Sequence, residues 1–269
     1  MSLELNSLLN QLGQVGKRLS DIGAAEAAAG NLSVCIRESL EITALFPSIQ
    51  MIDLPVPAPD LTGTTILVSG SGRRLRDILD APTANLACIV VEPGGRTGKM
   101  FTSPDCQFKR VTSEFNSHLA VHHDQMRSRE VTFHTLLHAQ PVYLTFLSHL
   151  ADYQNQKYLN RHLLRWQPET VLTFPKGIGI LPFILIGSNQ LMIETQIAMR
   201  EHELVVWSQH GVMTRADDSI LHALDLIEYA ETAAHYEFLN LIGGGLSNGL
   251  NPKHLREVGD SWNIQQNIF

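Results

Sequence analysis

At 269 residues with 44% hydrophobic side chains, the chain can bury a large core and is compatible with a single α/β domain. Its 20 Lys and Arg against 27 Asp and Glu give a formal charge of −7, and the densest basic stretch, Arg73-Arg74-Leu75-Arg76, is short, which argues against nucleic acid as a partner. Three scattered cysteines argue against a disulfide framework or a paired-cysteine metal knuckle, Met1-Ser2-Leu3-Glu4 lacks a basic leader pattern, and no apolar run approaches 18 residues. The expectation is a soluble cytoplasmic protein with no membrane partner.

Leu5, Leu8, Leu9, Leu12, Val15, Leu19 and Ile22 recur at three- and four-residue steps, so the chain opens with an amphipathic helix that ends in the alanines before Gly30. Strands are expected at Leu32–Arg37, Thr64–Val68 and Ala87–Val91, the second running directly into Ser69-Gly70-Ser71-Gly72. A helix over Ser113–Met126 and a strand over Val131–Leu137 follow, with Pro141 suited to the first turn of another helix. Thr170–Phe174 reads as a short strand, and Ser188 as the N-cap of a helix reaching about Arg200. Leu204–Trp207 and Val212–Thr214 form a hairpin around His210. Asp217 or Asp218 caps a long helix with Leu224, Ile227, Ala230, Ala234 and Phe238 on one face, stopped by Gly243-Gly244-Gly245. No linker interrupts this pattern, so residues 1–246 read as one domain. Residues 247–269 are a polar tail, expected to be loose or packed on a neighbour.

Several segments carry candidate chemistry. Ser69-Gly70-Ser71-Gly72 follows a strand, and its glycines let backbone N–H groups approach an anion; on this segment alone a tight turn is the stronger reading. It is not a nucleoside-triphosphate loop. Thr112-Ser113-Glu114 sits at a helix start, where free N–H groups suit an anion and a carboxylate suits the helix dipole. His118 and His122, four apart on that helix, read as a packing or surface pair rather than ligands. His138 ends an apolar strand, and His210 stands in the turn of the expected hairpin beside Gly211. Two imidazoles and a carboxylate would suit zinc with one open position.

Gly30-Asn31-Leu32-Ser33, Ser69-Gly70-Ser71-Gly72, Thr112-Ser113-Glu114, His138-Ala139-Gln140 and Gln209-His210-Gly211-Val212 resemble, in order and rough spacing, the segments of the class II aldolase/adducin family. Phe174-Pro175-Lys176-Gly177-Ile178-Gly179-Ile180-Leu181-Pro182 resembles the FPxGxGILP stretch of its rhamnulose-phosphate branch. The resemblance spans about Leu5 to Gly245. It implies a three-layer α/β/α fold with a mixed, mainly antiparallel sheet, a cyclic tetramer, and Zn²⁺ or another divalent metal. The implied activity is aldol cleavage of a ketose 1-phosphate of the L-rhamnulose 1-phosphate kind.

Carried over residue by residue, the resemblance puts Asn31, Ser71, Gly72, Thr112 and Ser113 on phosphate positions. It puts Glu114 on the acid/base position, Glu169 at the aldehyde end, and His138 and His210 on the metal. Where the family has a second histidine in its HxH pair, this chain has Gln140, a neutral and weaker zinc ligand. Ala27-Ala28-Ala29 likewise replaces a more polar approach to the Gly30-Asn31 turn. These departures keep other family activities open: an epimerase, a dehydratase, a decarboxylating lyase, or a non-catalytic binding protein of the adducin kind.

Overall fold

The computed structural model describes residues 4–269, so Met1–Leu3 of the leader reading lie outside it. Nine strands form one mixed sheet with helices packed against it: β1 (Asn31–Ile36), β2 (Ser48–Asp53), β3 (Thr65–Ser69), β4 (Leu86–Val91), β5 (Thr97–Thr102), β6 (Phe133–Ala139), β7 (Gly179–Leu181), β8 (Leu204–Trp207) and β9 (Gly211–Ala216). Their order is β2-β5-β4-β3-β1-β6-β9-β8-β7, and every neighbouring pair is antiparallel except β7–β8. The helices are α1 (Leu5–Asp21), α2 (Pro82–Asn85), α3 (Phe115–Ser128), α4 (Val142–Leu147), α5 (Gln156–Leu163), α6 (Glu169–Thr173), α7 (Asn189–Glu201), α8 (Ile220–Ile242) and α9 (Pro252–Ser261). None among the described residues is long and apolar enough to cross a membrane.

The central strands are buried throughout, so their side chains must be apolar or hydrogen-bonded on both faces. On β1, Leu32, Val34 and Ile36 join the apolar cluster formed with α1 and α8. Cys35 belongs to another, with Phe115, Leu119 and Met126 of α3. The period-two alternation of β1 thus assigns Asn31, Ser33 and Cys35 to the α3 face.

Antiparallel pairing then gathers the chemically suggestive segments at one end of the middle strands. Asn31 lies opposite His138, and Ala139 opposite Val212. β3 runs out at Ser69 beside the start of β1, and Gly70 bridges to Val111. The starts of β1 and β9 therefore meet the ends of β3 and β6.

Most expected elements form, with three corrections. Thr170–Thr173 is helical rather than extended, lying in α6 with Phe174 at its C-cap: its β-branched residues suggest a strand, but the Thr170 hydroxyl lies 2.7 Å from Leu164 O and 2.6 Å from Gln167 O, either of which can accept its proton, and folds the segment into a turn. The long helix is capped by Ser219, whose hydroxyl accepts from His222 N at 3.0 Å, while Asp218 instead accepts from the Ser219 backbone and His222 Nδ1. The segment from Ser247 contains α9 and folds back on its own chain: Leu255 is fully buried and Leu250 N donates to Arg165 O.

Candidate functional site

Glu114 occupies the N-cap position of α3 but makes no capping bond. Its carboxylate is 5% exposed and turned toward the strand ends, where Asn31 Nδ2 donates to Oε2 at 2.6 Å. His138 Nε2 lies 3.6 Å from Oε2, and His210 Nε2 lies 3.7 Å from Oε1. One candidate ligand atom from each of the three residues lies within 4.8 Å of the other two.

Each histidine is positioned by local geometry. His138, at the end of β6, sits 2.8 Å by Nδ1 from Val212 O. A carbonyl only accepts, so Nδ1 carries a proton and the ring turns its Nε2 atom toward Glu114. His210 closes the Ser208–His210 turn of the β8–β9 hairpin, in which Gln209 adopts the left-handed conformation (φ 63°) and its N–H donates to Ser148 Oγ. Gly211 follows because a Cβ there would fall 2.4 Å from Ala139 O. The buried Trp207 packs beside both imidazoles, at ring-centroid distances of 4.7 and 5.2 Å.

The electrostatics follow from this crowding. Burial works to raise the Glu114 carboxyl, but His138, the Asn31 hydrogen bond and His210 outweigh it and hold it below its usual value. Burial, reinforced by His138 and opposed by Glu114, lowers His210 to about 4, so it is neutral at physiological pH. A carboxylate and imidazole lone pairs therefore converge at separations too long for hydrogen bonds. Zinc bonds of about 2.0–2.2 Å in a tetrahedral arrangement place ligand atoms about 3.4 Å apart. The donor set and spacing fit a divalent cation.

Beside this cluster is a cavity of about 160 Å³ lined by Ala28, Gly30, Asn31, Gly70, Ser71, Gly72, Arg73, Thr112, Ser113, Glu114, His138, Gln140, Ile186 and His210. Every residue that the resemblance assigned to the site lines it except Glu169, which is exposed on the first turn of α6. Ser71 N donates to Arg110 O and Thr112 N to Ser69 O, tying the two polar turns together. Gly72 adopts a left-handed φ of 74°. No hydrogen bond among the described residues uses the Gly72 or Ser113 backbone N–H.

Two wall residues, Arg73 and Ile186, and Trp207 packed against the imidazoles lie outside the site read from the sequence. Arg73, held by Asn85 Oδ1 (2.7 Å) and Gln107 Oε1 (2.6 Å), was signalled by its place directly after the Ser-Gly turn. Trp207 and Ile186 gave no such signal, because nothing local marks an aromatic strand end as backing for a site or a remote loop as its wall. The motif over 174–182 is structural within this chain: Asn160 brackets Ile178 with bonds of 2.7 and 2.8 Å to its N–H and C=O.

The sequence profile described as the class II aldolase and adducin N-terminal domain matches residues 10–238. The chain belongs to this family. It is 24% identical over 262 residues to the rhamnulose-1-phosphate aldolase of Listeria monocytogenes serotype 4a, covering 96% of this chain and 93% of that one. It is 26% identical to the Enterococcus faecalis protein of the same name, covering 94% and 90%. Among solved structures, a sugar-phosphate aldolase from Thermotoga maritima superposes with a TM-score of 0.77 at 25% identity, covering 91% of this chain and 99% of that one.

Proposed function

We propose that this class II aldolase/adducin protein catalyses metal-dependent aldol cleavage of a ketose 1-phosphate like L-rhamnulose 1-phosphate, giving dihydroxyacetone phosphate and an aldehyde. The observation that carries the proposal is the convergence of Glu114, His138 and His210 beside a cavity lined by Ser71, Gly72 and Ser113. A divalent cation such as Zn²⁺, held by these histidines and Glu114, would supply Lewis-acid polarisation of the substrate carbonyl. Gln140 borders the same cavity and offers an amide oxygen as a further, weaker ligand.

Ser71 Oγ, the free N–H groups of Gly72 and Ser113, and Thr112 bind the phosphate, and Arg73 adds positive charge to that wall. Asn31 sits between this wall and Glu114. When the C3–C4 bond breaks, its electron pair stays on C3 as the enediolate, and the C4 hydroxyl loses its proton as the aldehyde carbonyl forms. The ionised Glu114 takes up that hydroxyl proton and delivers it to C3, which restores the carboxylate. Glu169 is assigned to the aldehyde end. Because it does not line this chain's cavity, that role requires a second copy of the chain.

The homotetramer implied by the resemblance is supported by the exposed apolar side chains of Phe183, Leu185, Ile186, Ile193 and Ile197, the third of which also lines the cavity. Helices α1 and α8 against one face of the sheet and α3 against the other support the three-layer reading. Free buried Cys35 and Cys88 suit a reducing cytoplasm. Gln140 in place of a histidine is the one feature favouring a non-catalytic adducin-like role. Dihydroxyacetone phosphate release from L-rhamnulose 1-phosphate tests the proposal: activity lost on chelation and restored by Zn²⁺ is expected. No release from any ketose 1-phosphate with zinc supplied would overturn it.

A further inference from the structure

A line of buried polar groups starts at Glu114 and Asn31 and runs along the seam between α3, β1 and β6. Asn31 Nδ2 is 2.6 Å from Glu114 Oε2, and Asn31 Oδ1 is 2.5 Å from His118 Nε2. His118 Nδ1 is 2.6 Å from Ser33 Oγ, which is 2.7 Å from His122 Nε2. His122 Nδ1 is in turn 2.7 Å from His134 Nδ1. Ser33 and the three imidazoles are fully buried.

Donor counting fixes the direction of every bond. An ionised Glu114 only accepts, so Asn31 must present its amide N–H to it and its Oδ1 to His118. His118 therefore carries its proton on Nε2 and accepts on Nδ1, where only the Ser33 hydroxyl can donate. Ser33 has one proton, so its lone pair takes the Nε2–H of His122. His122 Nδ1 is then an acceptor and must meet His134 as an Nδ1–H donor. Burial, the largest cause in each case, holds all three imidazoles far toward the neutral form that this assignment uses, His118 at about 3. The chain ends at His134 Nε2, 3.9 Å from Asp217 Oδ1; both atoms lack hydrogen-bond partners, and Arg129 (2.5 Å from Asp217) and Arg215 stand beside them.

An amide passes orientation along such a chain but not protons, because its donor and acceptor are different atoms and relaying a proton would require the unfavourable imidic acid form. We infer that Ser33, His118, His122 and His134 are positioning residues, a chain of fixed polarity that holds the Asn31 amide as a donor on Glu114. The carboxylate is thereby aimed at His138 and His210. The inference rests on the proposed role of Glu114, but its primary readouts need no substrate.

Nitrogen-15 NMR of the full chain with labelled histidine, at pH 7.5, should show His118 and His122 as Nε2–H tautomers and His134 as Nδ1–H. A different or averaging tautomer at His118 or His122 overturns the assignment. Zn²⁺ affinity measured by calorimetry then separates orientation from packing. His118→Gln, which restores a donor toward Asn31, should stay within about threefold of the parent, whereas His118→Leu should bind at least about tenfold more weakly. A packing role reverses that order, and equal affinities for the two variants also overturn the proposal. If His118→Leu does not fold, the tautomers of the unaltered chain still decide. Correct tautomers and zinc affinities without dihydroxyacetone phosphate release would overturn the substrate reading while supporting the chain.

Discussion

Two groups of histidines lie on the same face of the sheet, both reach Glu114, and their chemistry is opposite. In the cavity group, Glu114, His138 and His210 face one another at 3.6 and 3.7 Å, and His138 has already committed its proton to Val212 O. In the buried group, His118, His122 and His134 meet their partners at 2.5 to 2.7 Å, donor alternating with acceptor. Lone pairs that converge without a proton to share suit a cation. Lone pairs met by donors, as all in this group are except that of the terminal His134 Nε2, suit rigidity, because leaving one unmet in the interior costs about 1–3 kcal/mol. Hydrogen-bond saturation, not the number or spacing of histidines, separates ligand from scaffold.

The largest expected effect lies at the junction of the two groups. Glu114→Gln should lower kcat by roughly 10²- to 10⁴-fold, the range of a positioned proton carrier, with little change in Tm. An active Glu114→Gln enzyme would sink the acid/base assignment. Next come paired deletions. His122→Ala should destabilise the protein by roughly 3 kcal/mol in urea unfolding, through a cavity and the orphaned His134 and Ser33 groups. His210→Ala should leave the metal-free protein's stability nearly unchanged and weaken zinc binding at least tenfold. Equal destabilisation by both would erase the distinction between the groups.

Acid sharpens the contrast further. Burial places the folded-state pKa of His118 at about 3, and those of His122 and His134 well below 6.5. Below about pH 6.5 the unfolded chain binds protons that the folded chain refuses. Their contribution to stability is therefore complete above that pH and declines as pH falls toward the folded values. The slope is roughly 1 kcal/mol per pH unit for each histidine. Unfolding midpoints at pH 7.5 and 5.5 measure it, and equal midpoints would mean that these rings are not held neutral. The smallest expected effect is at the far cavity wall: Ser71→Ala should raise KM about tenfold, as loss of one hydrogen bond to a charged group does, with kcat within about twofold. A fall in kcat alone would move Ser71 from binding to chemistry.

Much of the fold was readable because its signals are local. The leucine spacing of α1, the alternating or wholly apolar runs of β1, β3 and β4, the Ser188 cap and the glycine stop of α8 each follow from periodicity or capping. Less readable were β2, an edge strand with exposed Ile49 and Met51, and the three-residue β7, which exists because it pairs with β8. α6 misled for a related reason: a five-residue segment takes its conformation from its surroundings rather than its propensity.

For the site, the sequence alone determined the residue types and their order: a Ser-Gly turn, a carboxylate at a helix start, and histidines at the ends of apolar segments. Those depend on neighbours in the chain, and they sufficed to point to the family. Tertiary structure decided which groups face which. Only the fold fixes what each histidine meets: His118 on α3 reaches Asn31 Oδ1, whereas His138 on β6 reaches Val212 O by Nδ1. Proton positions, converging lone pairs, the Trp207 packing and the Ile186 cavity wall depend on contacts between residues far apart in the chain, so only the folded arrangement distinguishes an ion site from a hydrogen-bonded seam.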